Sequence, residues 1–591
     1  MAEGGRIIKS STLNYLKKRW KEGTFGEIFQ DWKWIFSYSK RFKGSIALYT
    51  ALGLFSSTLG LVSAIAGKFL VDVVIGRKVD QLWLAALVMA GSALLSLAVS
   101  NLSGRITQKL EVDMTNVIRA DVFDAVMDAG WQSLNQFSNG DILNRFHGDI
   151  STVASNAISW LPSLIISVYN FISTFVVIFY YSPMMALIAL SSAPVVLLMS
   201  RYLVQKQKSF RNEMMETTSR MYSFESEALY NLDTVKSFGV MDFFSLQLRE
   251  LQIQYRNVTL AWNMFKIRTN VFMSLVGLLV SYIAYGYALY LLWGDRITYG
   301  TMTLFLQQRG ALTGAMQSLI GIVPGFISSS VSAHRIQELM ALPKEKHSEE
   351  EIPPEYFRGN LTLKLDQVDF AYEDGEMVLE ASDFEAHPGQ ITALVGPSGE
   401  GKTTVLRLLL GMILPKNGSC VLEPADMPPL GVSAETRALI AYVPQGNTLL
   451  SGTIAENLRL ARRDATDDEI VEALKLACAW EFVEKMPNGI NSSIYEHGKG
   501  LSEGQAQRVS IARALLRGTP LILMDEATSA LDVETERQVL RNILKKSPES
   551  TYIITTHRPS VLSMCDRVYR VVDRRITQLG QEEVQSIVRN F

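Results

Sequence analysis

Cysteine is almost missing from this chain, with three in 591 residues: Cys420, Cys478 and Cys565. They are too few and too scattered for a disulfide framework or a metal site, and they point to a reducing compartment for the half that holds them. Net charge is just as scarce: 57 Lys and Arg stand against 59 Asp and Glu, leaving −2. A nucleic-acid binder would carry a strong basic excess, so that class is set aside. Long apolar runs stop at about residue 340, and the polar first 44 residues show no short apolar core of a cleavable signal peptide. The mean hydropathy of +0.13 is too high for a soluble enzyme of this size. With 20% charged residues the chain is also too polar for a pure membrane bundle. That average is the sum of two dissimilar halves, in a length that holds about three to five domains.

The apolar half comes first. Stretches near 45–75, 81–104, 157–181, 183–204, 270–294 and 300–328 are each long enough to cross about 30 Å of hydrocarbon as a helix. Residues 271–293 carry no charge, whereas the sixth stretch is interrupted by Gln307, Gln308 and Arg309. Residues 1–44 hold ten Lys and Arg against four acids, loop 201–268 also holds ten, and loop 105–156 holds four. The opposite turns carry only Arg77, Lys78 and Arg296. Six spans and this bias put both termini and both long loops in the cytoplasm, in a multi-pass protein of a bacterial plasma (inner) membrane. Phe25, Ile28, Phe29, Trp32, Ile35 and Phe36 recur at helical spacing ahead of the first span, as in a helix lying in the membrane interface. The expected division is an N-terminal segment 1–44 with that helix, a six-helix membrane domain 45–340, a charged, proline-broken linker 341–360, and a further domain 361–591.

Within the spans, Lys68 and Asp72 stand one turn apart and are expected to pair. Arg309 is either a substrate contact in a watery cavity or part of a structural pair. Tyr282, Tyr285, Tyr287 and Tyr290 are read as helix packing or interface anchors, with a translocation path as the alternative.

After residue 360, short β-rich runs (391–395, 521–524, 552–555) alternate with helical patterns, as in an α/β domain with a largely parallel sheet. The first run leads into Gly396-Pro397-Ser398-Gly399-Glu400-Gly401-Lys402-Thr403, followed by Thr404 and a helical pattern. Glycines let successive backbone N–H groups turn toward phosphate oxygens at a helix N-terminus, Lys402 adds a cation, and the Thr403 hydroxyl can bind Mg²⁺. The second run delivers Asp525 and Glu526, one suited to Mg²⁺ through water and the other to polarising an attacking water. His557 follows the third run as a candidate γ-phosphate sensor.

Between these lies Leu501-Ser502-Glu503-Gly504-Gln505, opening a helical run. It resembles the signature motif of the ATP-binding cassette (ABC) family, and the order of the other parts is similar too. Tyr372 stands for the base-stacking aromatic, Gly396 to Thr403 for the phosphate loop and Gln445 for the glutamine loop. Asp525-Glu526, Ser529 to Asp532 and His557 complete the series. The resemblance implies an ATPase with ATP and Mg²⁺ as cofactors. Glu526, His557 and Gln445 would be catalytic, and Thr403, Gln445 and Asp525 would serve the metal. It further implies two cassettes paired head to tail, with Ser502, Gly504 and Gln505, together with Asp532, completing the partner's ATP site.

The membrane half resembles the family's six-helix exporter domain. Gly140 to Phe146 with Asp149, Glu227 with Thr234 to Phe238, and Ser332 to Ile336 look like its coupling regions and the exit of its sixth helix. The implied protein is an exporter half-transporter that dimerises in the bilayer, with a homodimer favoured and a heterodimer open. Its substrate class (drug, lipid or peptide) is undetermined. An ATP-gated channel or regulatory membrane protein on the same scaffold is the alternative. Two departures stand out: Glu503 where the family usually has glycine, and Ser493 where it usually has glutamate.

Overall fold

The computed structural model describes residues 25–590 except 77–78, 138, 192–205, 207–209, 211–212, 215, 219, 346–351, 359, 373–374, 398, 447 and 496–499. The described residues form two compact units, one within Met1–Asp124 and Asn139–Ala341, the other within Ala125–Ser138 and Leu342–Phe591.

The first unit is helical: α1 (Phe25–Ser39), α2 (Lys43–Ile75), α3 (Val79–Met127, which runs on into the second unit), α4 (Ile150–Tyr181), α5 (Pro183–Leu190), α6 (Met241–Trp293) and α7 (Tyr299–Met340). A chain without water around it must satisfy its backbone within each segment, which is why apolar runs of this length form helices. α3 and α6 run for 49 and 53 residues. At 1.5 Å per residue each is about 75–80 Å long, more than twice the hydrocarbon thickness. Much of the polar stretches 105–156 and 201–268 thus continues the membrane helices in α3 and α6. The break between α4 and α5 is local chemistry. Ser182, held extended before Pro183, ends one helix, and its hydroxyl accepts the Met185 N–H to cap the next.

Among the described residues four helices, Ile28–Ile75, Gln81–Met127, Asn139–Tyr181 and Met241–Trp293, are long and apolar enough to cross a membrane. The fourth expected stretch continues from α5 into 192–204, outside the described residues. The sixth is an unbroken helix, α7, but it does not reach the apolar level of those four, because glutamines, serines and Arg309 dilute it. Arg309 donates to the Gly277 carbonyl of α6 at 3.2 Å. Lys68 pairs with Asp72 at 3.3 Å. Asp72 also accepts the Gly300 N–H and the Thr298 hydroxyl, fixing the start of α7. Tyr282, Tyr285 and Tyr290 are exposed on α6.

α1 is helical as expected, but its aromatic face turns inward rather than toward an interface. Trp32, Ile35 and Tyr38 are buried while Phe29 stays exposed. The Trp32 indole stacks on Phe326 of α7 at 4.4 Å and donates to its carbonyl at 3.1 Å. An indole that is both stacked and hydrogen-bonded is better satisfied than one at a wet surface. Two separated sequence motifs also meet in this unit. Arg145 pairs with Asp141 (2.8 Å) and Glu338 (3.1 Å), and Arg335 pairs with Asp141 (2.7 Å) and Asp149 (3.2 Å). The Ser332 hydroxyl donates to Asp149 at 2.8 Å.

Among the described residues the second unit holds two main sheets and a two-stranded pairing of Gly452–Thr453 with Ser493–Ile494. One is antiparallel, in the order β2-β1-β4-β5, from β1 (Leu361–Ala371), β2 (Met377–Ala386), β4 (Asn417–Pro424) and β5 (Leu430–Gly431). No residue pattern marks it as a separate sheet. The other has β3 (Ile391–Val395), β6 (Ile440–Val443), β7 (Leu521–Asp525), β8 (Thr551–Thr555), β9 (Arg567–Val572) and β10 (Arg575–Gln578), in the order β10-β9-β3-β8-β7-β6. All neighbours are parallel except the β9–β10 hairpin. β3, β7 and β8 are buried at every residue, which explains their continuous rather than alternating apolar pattern. Helices α8 (Lys402–Leu409), α9 (Glu503–Arg517) and α10 (Val533–Lys546) belong to this unit.

Glu536 of α10 is fully buried, 3.4 Å from Arg558, and accepts the Ser560 hydroxyl at 2.5 Å. Glu536→Ala strands Arg558 without its counter-charge, a change worth about 3–5 kcal/mol. Thermal unfolding of the purified protein followed by fluorescence should show an early transition several degrees lower.

Candidate functional site

Strand register sets the site. Thr555 of β8 is level with Leu394 of β3 and with Asp525 of β7, and Val443 of β6 is level with Met524. The residues that follow these strand ends therefore come out along one edge of the sheet: the loop after Val395, then Gln445, Glu526 and His557. The crevice beyond the carboxyl ends of parallel strands is where open α/β sheets bind ligands.

The loop Gly396 to Thr403 turns into α8 at Gly401, whose φ of +105° is costly for any side chain. A Cβ there would also lie 2.8 Å from Val378. Lys402 Nζ donates to the carbonyls of Gly396 (2.7 Å) and Pro397 (2.8 Å), so the ammonium is held over the loop it belongs to. Gly399 and Glu400 lie in the same turn, and Ser398 is outside the described residues. Thr403 Oγ1 donates to Asp525 Oδ2 at 3.4 Å.

Asp525 is nearly inaccessible. Its other oxygen accepts the Thr555 hydroxyl at 2.7 Å, and its charge acts on the nearby Tyr442 hydroxyl. Burial, with the Asp525 charge second, pushes the Tyr442 hydroxyl up to about 12. Thr555 Oγ1 in turn accepts the Glu526 N–H at 2.8 Å, so one hydroxyl ties both acidic residues to β8. Glu526 has a positive φ of 45°, a left-handed conformation that costs of order 1 kcal/mol or more in a non-glycine residue. Its carboxylate accepts Gln445 Nε2 at 2.8 Å and stands 3.9 Å from His557 Nδ1. Oxygen donors from Thr403, Asp525 and the Gln445 amide, next to a phosphate-binding turn, suit a hard cation such as Mg²⁺.

Tyr372 meets the phosphate-loop helix: its hydroxyl is 3.2 Å from Thr404 Oγ1 and accepts Arg407 Nη1 at 3.2 Å. The Arg407 guanidinium lies 4.3 Å over the ring of Trp131, from the 125–138 segment of the same unit.

Ser502 caps α9 in a reciprocal box. Its hydroxyl accepts the Gln505 N–H at 3.3 Å and its own N–H donates to the Gln505 side chain at 2.9 Å. Gly504 lets this helix start approach the Ser529–Asp532 turn, because a Cβ would lie 2.8 Å from the Ala530 carbonyl. Asp532 caps α10 through the Thr535 N–H and hydroxyl, and those two bonds, the hydroxyl first, hold its carboxyl below the usual carboxylate range. Among the described residues no hydrogen bond or ion pair joins Ser502, Gly504, Gln505 or Asp532 to the phosphate loop. Of the departures, Glu503 is the first residue of α9 and Ser493 pairs with Thr453 in a two-residue strand.

Sequence reasoning missed Thr555, Tyr442, Arg407 and Trp131. Thr555 was visible only as the last residue of a strand. The other three carry no motif, and it takes the fold to bring them to the site.

Residues 46–316 match the family described as ABC transporter transmembrane region, and residues 379–529 match ABC transporter. A serine protease/ABC transporter B family protein of Dictyostelium discoideum is 29% identical over 79% of this chain, which spans only 26% of that protein. An ATP-dependent lipid A-core flippase of Pectobacterium atrosepticum is 28% identical over 82% of each chain. A solved bacterial Atm1-family ABC exporter with ATP bound has the same fold, with a TM-score of 0.79 and 22% identity, over 94% of this chain and 96% of that one.

Thr555→Val keeps the strand and its volume but removes the hydroxyl shared by Asp525 and the Glu526 N–H. Steady-state assays should show kcat for ATP hydrolysis lowered roughly tenfold, with KM for ATP little changed.

Proposed function

The chain belongs to the ABC transporter family as an exporter-type half-transporter and is an ATPase coupled to transport; from that premise we propose that it works as a pair, with ATP held between the two cassettes. The observation that carries this reading is a division within the single chain. The phosphate loop, Gln445, Asp525, Glu526 and His557 converge on one sheet edge, while Ser502 and Gly504 stand at a separate helix N-terminus with no bond to it among the described residues. A helix N-terminus attracts anions, so a second copy could present that end to the γ-phosphate.

In this reading Tyr372 stacks on the adenine, and Gly396 to Thr404 cradle the phosphates with Lys402. Mg²⁺, which neutralises charge on the phosphates when bound, is held by Thr403 with Asp525 and Gln445. Glu526 polarises the attacking water while Gln445 and His557 fix its carboxylate and face the γ-phosphate. ATP then adds contacts that exist only in the closed pair, and hydrolysis removes them. That difference in affinity drives the membrane half between inward- and outward-open states. The long α3 and α6 and the Arg145–Arg335 network would carry the motion. The substrate leaves the cytoplasm or the inner leaflet, and both termini are cytoplasmic. Two intact sites per pair favour a homodimer, with a heterodimer formed with a second half-transporter as the alternative.

Glu526→Gln in liposomes should bind ATP within a few-fold of the unaltered protein yet hydrolyse it about 10²–10⁴-fold more slowly. Undiminished turnover would overturn the assignment of Glu526.

A further inference from the structure

Helices α2, α4 and α7 line a partly open cavity of about 470 Å³, within the range of roughly 300–1,000 Å³ typical of small-ligand pockets. Its wall is polar where a membrane-spanning helix is normally apolar. Ser163, Ser167 and Asn170 of α4 lie four and three residues apart, on one helix face, and Ser318 of α7 shares the cavity. Polar side chains at such depth are costly unless they find partners. Nearer the start of α4, Asn156 and Ser159 bond back to the carbonyls of Thr152 (2.9 Å) and Ser155 (2.8 Å). The side chains of Ser163, Ser167, Asn170 and Ser318 have no hydrogen-bond partner among the described residues. Among the described residues no Asp, Glu, Lys, Arg or His lines the cavity, and Arg309 donates instead to the Gly277 carbonyl. Trp160 adds an aromatic wall, fixed by Phe326 at 5.0 Å and Trp32 at 5.1 Å.

We propose that this cavity binds the transported molecule, and that this molecule is a neutral amphiphile. Its polar part would carry hydroxyl groups, as an uncharged sugar headgroup does, and its apolar part would lie along Trp160. Hydroxyls are donors and acceptors at once and so match serine and asparagine, which are both as well. A fixed charge of either sign would lose its water here and meet no counter-ion. The exporter reading enters only in calling the ligand transported, since binding itself needs no nucleotide.

The test is equilibrium binding of tritiated dioctanoyl-monogalactosylglycerol to the full chain in phosphatidylcholine nanodiscs without ATP. Anionic dioctanoylphosphatidylglycerol and cationic tetraphenylphosphonium serve as competitors. Saturable binding that neither charged probe displaces is expected. Ser163→Val with Asn170→Leu should weaken it about tenfold or more, whereas Ser163→Thr, which keeps the hydroxyl, should hold it within about threefold. Retained ATP binding by the double variant shows that the protein is folded. Unchanged affinity in that variant, displacement by a charged probe, or no saturable binding at all overturns the proposal and leaves the ATPase assignment standing. Saturable binding without ATP-driven movement of the glycolipid would instead overturn the exporter reading and the label of transported substrate, and leave the site.

Discussion

The Asp525 carboxylate sits at the end of a strand buried on both faces, and a buried anion is tolerable only when its oxygens are bonded. Thr403 and Thr555 supply those bonds from two different elements, and each bond fixes part of the site. Thr403 ties the phosphate-loop helix to the acidic strand. Thr555 ties the next strand and, through the Glu526 N–H, the neighbouring carboxylate as well. The left-handed backbone of Glu526 persists because these bonds over-determine it, and it leaves the carboxylate between Gln445 and His557.

In the proposed pair that arrangement is one half of an ATP site. The helix end proposed as the other half is engaged in its own cap: the Ser502 hydroxyl and the Gln505 amide satisfy each other, and Gly504 packs the helix start against the turn that leads to α10. A rigid, pre-capped helix end is suited to meeting an anion brought to it by another surface, because little has to be ordered at that moment. In the membrane half, the Arg145–Arg335 network joins the segment after α3 to the end of α7 with charges that would be costly to separate once buried.

Much of this was legible in the residue order. The phosphate loop, Asp525, Glu526, Gln445 and His557 are carried by short motifs whose spacing survives translation into structure, and the parallel strands showed themselves as unbroken apolar runs. Three kinds of feature were not legible. The antiparallel sheet alternates too irregularly, with register shifts in β1, to stand out from loops. Trp131, Arg407 and Tyr442 reach the site from positions that mean nothing until the chain has folded. The amphipathic pattern of α1 fixed a helix but not what it faces, because a Trp face packed on Phe326 and one resting on lipid have the same spacing. Similarly, the residues of the polar cavity read as ordinary serines and asparagines within apolar runs, and only the convergence of α2, α4 and α7 distinguishes them.

The central claim is that each ATP site needs two chains. Its most direct measurement pairs a Lys402→Ala chain with a Ser502→Arg chain, co-expressed under different affinity tags and purified as the mixed pair. Each variant alone should be inactive, because both sites of its own pair are damaged. The mixed pair should recover ATP hydrolysis, since one of its two sites combines an intact Lys402 with an intact Ser502. A mixed pair as inactive as either variant alone, though assembled and able to bind ATP, would contradict the account.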